Sequence, residues 1–259
     1  MTAADQTHGR VGILIASLEM GGAQRMALWL AQDLLDCGYE VQILTLDRGR
    51  EIALPGDCSM KAALDARIRP LSATPMHRGT VRKAITMVLL HRRLARAVER
   101  GRLTVLISFM ERANLLNLLD RSAVCHIASV RTPISSALAR KGRFKRWLVR
   151  LAYPPVLCRA NMLVFNSAGA AADFRSVFRF PQPRLRVISN SVDPSVQALA
   201  REPIDAAGAD LLGPQSIVCG GRMVSVKGHA PLLRAFAHVR DSCPQARLVI
   251  VGNGPLLED

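Results

Sequence analysis

Gly220-Gly221-Arg222-Met223-Val224-Ser225-Val226-Lys227-Gly228-His229 is the stretch on which the fold turns. Ahead of it lies Ser216-Ile217-Val218-Cys219, a short apolar run with the signature of a buried strand. Behind it, Leu232, Leu233, Phe236, Ala237 and Val239 recur at helical spacing and predict a helix laying one apolar face on a sheet. A strand, a glycine-rich turn with one Arg and one Lys, and then a helix is a recurring way to hold a phosphate. Glycines admit the anion to the backbone, the helix N-terminus aims N–H groups at it, and the cations neutralise it. Loop cations are otherwise ordinary solvated surface, so the flanks decide between the two readings.

Downstream, Arg247-Leu248-Val249-Ile250-Val251 reads as a second buried strand, closing on Gly252-Asn253-Gly254-Pro255. The segment GGRMVSVKGHAPLLRAF through CPQARLVIVGNGPL resembles the start of the C-terminal domain of the GT4 family of retaining glycosyltransferases. Five separated elements agree with that family in order and spacing. The resemblance implies that Arg222 and Lys227 grip the diphosphate of a nucleotide-sugar donor.

Working outward to the N-terminus, Val11-Gly12-Ile13-Leu14-Ile15-Ala16 is an all-apolar strand of the parallel, doubly covered kind. A loop, Ser17 to Gly22, leads into a helix from about Ala23 to Asp36, and Tyr39 to Leu46 forms the next strand. Gly21-Gly22 is not a dinucleotide fingerprint, because G-x-G-x-x-G spacing is missing and no third glycine follows. The family resemblance implies instead that this loop approaches the donor phosphates, which makes Gly21 and Gly22 site residues on that ground alone.

Residues 48–80 read as irregular apart from a strand near Ile68 to Leu71. Val81 to Arg100 is a helix with Ile85, Val88, Leu89 and Ala95 as its apolar face, against Arg82, Arg92, Arg93 and Arg96. Strands follow at Thr104–Phe109, His126–Val130, Met162–Ser167 and Leu185–Ile188. Helices fall at Ala113–Leu119, at 136–151 and before Phe178. His126 lies in an apolar run and reads as a core histidine; no residue emerges as a catalytic base. About seven strands alternating with helices predict an open parallel sheet.

The expected fold is therefore α/β, and the GT4 resemblance implies that it is of GT-B type. A Rossmann-like N-terminal domain with a parallel sheet spans 1–194 on the acceptor side. A linker covers 195–214, and an incomplete second Rossmann-like, nucleotide-sugar-binding domain covers 215–259. About 45 residues are too few to bury both faces of a sheet. GT4 relatives continue with further βα units and an acidic E-x7-E motif, so two readings stay open: a glycosyltransferase or part of one, and an inactive remnant keeping the acceptor and membrane surface.

Six scattered cysteines without C-x-x-C spacing fit buried, reduced thiols, and no apolar run reaches membrane-spanning length, so a cytoplasmic location is expected. Net charge is +15. Between Arg78 and Arg150 lie 17 Lys and Arg against only Glu99, Glu111 and Asp120, so nearly all the excess sits in one stretch and implies an anionic partner. The helix with Arg143, Lys145, Arg146 and Trp147 suits an anionic bilayer. The stretch has few aromatics and no groove-reading motif, so nucleic acid is not expected as a partner.

What the resemblance adds is a donor that is a UDP- or GDP-sugar, an acceptor that is a glycan or lipid-linked sugar, and transfer with retention. It also implies no cofactor, no metal, and a peripheral position on the inner face of the cytoplasmic membrane. Arg131, ending a strand where relatives place acceptor contacts, is a possible acceptor or cleft residue.

Overall fold

The computed structural model describes residues 8–19, 21–49, 52, 54, 58–72, 80–139, 142–178, 184–192, 200–204, 208, 209 and 212–257. The chain divides into two compact units, Met1–Ser191 and Val192–Asp259. Readings that fell on Met20, the turn at 55–57, Arg78 and most of the linker lie outside the described residues.

In the first unit the strands are β1 His8–Ile15, β2 Tyr39–Thr45, β3 Ile68–Pro70, β4 Val105–Phe109, β5 Cys125–Val130, β6 Met162–Phe165 and β7 Arg184–Val187. They form one sheet in the order β3-β2-β1-β4-β5-β6-β7, every neighbouring pair parallel. The order reverses at β1, so β1 and β4 flank the topological switch point where open α/β sheets bind ligands at their carboxyl ends. Val11, Ile13, Leu14 and Ile15 are buried on both faces, as a central parallel strand requires. Pro70 sits on the edge strand β3, where its missing N–H costs no ladder bond.

The helices are α1 Gly22–Asp36, α2 Cys58–Asp65, α3 Thr80–Arg100, α4 Glu111–Leu119, α5 Ile134–Ala139, α6 Arg143–Leu157 and α7 Ala168–Val177. Right-handed crossovers sort them by direction of travel across the sheet. The steps β1 to β2 to β3 run one way, and α1 and α2 share a core around Ile13, Ile15, Ala27, Leu28 and Leu64. The steps from β3 through β4, β5 and β6 run the other way. On that face α3 and α4 share a core with Leu14, Leu44 and Leu106, and α6 and α7 pack around Leu163, Phe165 and Phe174.

Four corrections follow. Residues 48–80 contain α2, whose eight residues carry too short an apolar period to stand out. The segment at 136–151 is two helices, α5 and α6, and α6 continues through Pro154 and Pro155 to Leu157. In α3 the core face is Leu90, Leu94 and Val98, while Ile85, Val88 and Leu89 are about half exposed. This helix has two apolar stripes, and only packing chooses between them. The described cysteines are exposed (Cys37, Cys158, Cys243) or half-buried (Cys125, Cys219), because each lies at an element end or a sheet margin.

A polar network is buried between α4 and the sheet. Ser108 Oγ donates to Asn114 Oδ1 at 2.8 Å, and Asn117 Nδ2 lies 3.0 Å from the Leu106 and Ile127 carbonyls. Asn117 Oδ1 pairs with Nδ1 of His126 at 2.8 Å, and the His126 N–H donates to Asn161 Oδ1 at 2.7 Å. His126 is thus a buried, satisfied core histidine, as the apolar run implied.

Asp173 of α7 accepts from the Ser135 N–H at 3.0 Å and ties down the start of α5. Partial desolvation pushes its pKa up, but hydrogen bonds from the Ser135 hydroxyl and the Ser135 and Ile134 N–H groups outweigh it, and the net direction is down. A depressed folded-state pKa contributes stability above the unfolded value of 3.8 that is lost as pH falls through the lower folded value. Asp173→Asn is therefore expected to lower stability modestly at neutral pH and to converge on the parent in acid, once pH has fallen through the lowered folded value. Urea titrations at both pH values check this; equal stability at pH 7 would remove the tie.

In the second unit β8 Ser216–Gly220 pairs in parallel with β9 Arg247–Val251, and helix α8 His229–Ser242 connects them. Both strands were expected to be buried. They are half-exposed instead, with Val218 at 53% and Val251 at 59%, and α8 buries no residue fully. Two strands and one helix cannot cover both faces of a sheet.

Candidate functional site

Three loci stand at carboxyl ends of strands, and each is built by its own unit. In the second unit, Gly221 to Val224 follow β8 as a loop in which the Val224 N–H donates to the Arg222 carbonyl at 2.9 Å. Ser225–Lys227 then makes one 3₁₀ turn, and Gly228 adopts the left-handed conformation (φ 73°) that leads into α8. Only glycine holds that geometry without strain. The Gly221 N–H donates to the Val251 carbonyl at 2.9 Å and the Met223 N–H to the Asn253 carbonyl at 2.9 Å, so the loop is zipped to the Gly252–Gly254 turn.

That zipper explains the G-x-G spacing. A Cβ at Gly252 would overlap the Gly221 carbonyl, and one at Gly254 would overlap the Met223 carbonyl. The pinned loop leaves the side chains of Arg222 and Lys227 exposed at its surface. A Cβ at Gly221 would come within 4.0 Å of the Lys227 alkyl chain, and the N-cap of α8, Gly228, makes no side-chain capping bond. Two cations beside an uncapped helix N-terminus form a locus for an anion. His229, absent from the sequence assignment, helps hold it: its Nε2 bonds the Arg222 carbonyl at 3.0 Å. A single histidine after Gly228 carries no sequence signal of that role.

In the first unit, Gly21 and Gly22 start α1, again with no side-chain cap. Gly21 is extended, so its backbone suits any residue. A Cβ at Gly22 would meet nothing within 4 Å, and one at Gly21 would meet only the flexible end of Gln24. Neither glycine is demanded by packing, and the N-terminus of α1 is left open.

Arg131 follows β5 directly. It is half-buried; its Nη2 donates to Asn190 Oδ1 at 2.7 Å and its guanidinium lies 5.6 Å from the Phe109 ring centroid. Burial lowers its pKa from the usual arginine value by desolvation. Among the described residues no carboxylate pairs with it. Asn190 carries no site role in the sequence reading, and the tertiary fold makes it the residue that aims Arg131.

Arg143, Arg146 and Trp147 lie on the outer part of α6, where Arg150 joins them around a hollow of about 410 Å³. The side chain of Lys145 lies outside the described residues. Among the described residues no helix is long and apolar enough to cross a membrane.

The model of the glycosyl transferase 4-like domain matches residues 21–191. No curated protein matches the chain. Among solved structures it superposes on sucrose-phosphate synthase from Thermosynechococcus elongatus with a TM-score of 0.68 at 16% identity, over 95% of this chain and 62% of that one. A glycosyltransferase from Rickettsia africae ESF-5 gives 0.59 at 12% identity, over 95% and 68%. An alpha-glucosyltransferase in complex with UDP and a 13-mer DNA gives 0.54 at 12% identity, over 95% and 56%. The chain thus spans less than two-thirds of the sucrose-phosphate synthase and alpha-glucosyltransferase chains. At such identities the likeness is one of fold, and that fold is of the GT-B type. Since the family match covers most of its length, this chain belongs to the glycosyl transferase 4-like domain family.

Proposed function

We propose that the chain serves a glycosyltransferase that moves a sugar, with retention, from a nucleotide-diphosphate sugar to a lipid-linked or cell-surface glycan. The observation that carries this is the Arg222–Lys227 loop, pinned by Gly252 and Gly254 beside the uncapped start of α8. Departure of a nucleoside diphosphate develops charge that two cations and a helix N-terminus are suited to stabilise. UDP- or GDP-sugars are the proposed donors, and an alpha-glucosyltransferase of similar fold is itself seen in complex with UDP.

Gly21 and Gly22 serve as a second approach to the donor phosphates, and Arg131 as an acceptor contact. A half-buried guanidinium with no carboxylate partner among the described residues favours an anionic acceptor group there. No metal or cofactor enters this scheme. The protein is placed on the inner face of the cytoplasmic membrane, where Arg143, Lys145, Arg146 and Trp147 face anionic lipid.

The test is calorimetric titration with UDP and GDP, followed by proton NMR of the anomeric signal in any transfer product. Saturable binding of one nucleotide, weakened at least tenfold by Arg222→Ala, supports the reading. Inversion at the anomeric carbon, or binding indifferent to Arg222, would count against it.

A further inference from the structure

Resting on that reading only for its choice of a membrane partner, we infer that α3 and α6 together form one bilayer-docking surface. Two exposed apolar stripes enter the lipid, and flanking arginines hold its anionic headgroups.

On α3 the two apolar stripes point in opposite directions at 3.6 residues per turn. Leu90, Leu94 and Val98 are at most 2% exposed and face the sheet, whereas Ile85 (56%), Val88 (56%) and Leu89 (46%) face away from it. An amphipathic helix of a sheet-covering layer needs only the first stripe. The second has no partner among the described residues, and Arg92 and Arg96 continue it on the next turns.

On α6 the pattern repeats. Phe144 (73%), Trp147 (59%), Leu148 (46%) and Leu151 (62%) stand at i, i+3, i+4 and i+7. Val149, Tyr153 and Val156 turn the other side of the helix to the core. The Phe144 and Trp147 rings stack at 6.1 Å between centroids, and Arg143, Arg146 and Arg150 run in a row beside the stripe.

Topology puts the two stripes on one surface. Both helices lie on the same face of the sheet, on either side of α4, which touches each of them. Each runs antiparallel to the strand before it, so its N-terminal half lies near the carboxyl edge. Both stripes occupy N-terminal halves. Met110, 38% exposed at the start of α4, lies along that same edge. Of the three acids in this stretch, Asp120 is buried and Glu99 is at the far end of α3, which leaves Glu111 at this edge.

Charge selects the occupant. A protein partner would meet an apolar centre depleted of charge, with a polar rim. Here arginines accompany the apolar stripes on both helices, which suits an interface that is oily a few ångströms below an anionic plane. Duplex DNA would satisfy the arginines but gives Phe144, Leu148 and Leu151 nothing to bury against.

The experiment uses the whole 259-residue chain with Trp29→Phe, which leaves Trp147 as its single tryptophan. Vesicles of phosphatidylcholine are compared with vesicles that include about one-third phosphatidylglycerol. Partition should rise at least tenfold with the anionic lipid and fall with salt, and Trp147 emission should move to the blue and be quenched by brominated acyl chains.

Ile85→Ser/Val88→Ser/Leu89→Ser, all exposed positions, should lower partition about tenfold at low and high salt alike. Arg143→Glu/Arg146→Glu/Arg150→Glu should lower it about a hundredfold at low salt and far less at high salt. Circular dichroism melts confirm that the variants fold.

An α3 variant that partitions like the parent overturns the two-helix surface. So does unshifted Trp147 emission, or capture by duplex DNA without capture by vesicles. The partition assay contains no donor sugar and reads docking alone, so normal partition together with no transfer in a separate assay supplied with donor would sink the proposed reaction and leave the docking surface standing.

Discussion

Arg222→Ala and Lys227→Ala are each expected to slow sugar transfer about a hundredfold, equivalent to about 3 kcal/mol of lost leaving-group stabilisation. The size follows from when the interaction is made. Charge on a departing diphosphate grows toward the transition state, so a cation held against it lowers the barrier more than it tightens the ground state. The turn from Ser225 to Gly228 and the pairing of Met223 with Asn253 hold the backbone of this loop through main-chain hydrogen bonds. Both variants should therefore fold normally and lose rate. Steady-state kinetics with a radiolabelled donor, together with thermal melts, separate the two effects. Near-normal turnover by both variants would end the assignment of this loop to a phosphate.

Gly252→Ala carries the second large effect, this time on stability. The added methyl would collide with the Gly221 carbonyl, and backbone has no rotamer in which to escape. Either β8 and β9 part at their carboxyl ends or the loop moves as a unit; both break the bonds at Gly221 and Met223. The cost is expected to be about 3 kcal/mol, against about 1 kcal/mol for Gly228→Ala, where the penalty is the left-handed backbone alone. Hydrogen exchange reads it directly: the amides of Ser216–Gly220 and Arg247–Val251 should lose protection in Gly252→Ala while β1 and β4 keep theirs. Unchanged protection across β8 would show that the close approach is not needed.

Much of this molecule was legible in its residues. About seven strands before residue 195 were expected and seven stand among the described residues; the central ones were easiest to read, because buried parallel strands write themselves as uninterrupted apolar runs. The strand, turn and helix around Arg222 and Lys227 were legible because an apolar run, a glycine-rich turn and a helical period follow one another there. Helix α2 escaped because eight residues hold barely two turns of periodicity, and the join of α5 to α6 escaped because its one marker, Gly142 ahead of α6, is a lone glycine of the kind a helical pattern tolerates.

What the sequence by itself determined is the alternation of apolar runs and amphipathic helices, hence an open parallel sheet, along with the glycine-rich turn from Gly221 to Gly228; the GT-B class came from the family resemblance of its motifs. These are local properties: strand burial, helix period and turn chemistry are written in neighbouring residues. Only the tertiary structure decided which stripe of α3 goes inward, that Asn190 meets Arg131 across 59 positions of chain, and that Gly252 must be glycine because Gly221 passes against it. Each of those outcomes depends on which distant segment arrives alongside. One stretch of chain carries the residues that can make a contact, while the fold as a whole sets which of those contacts form.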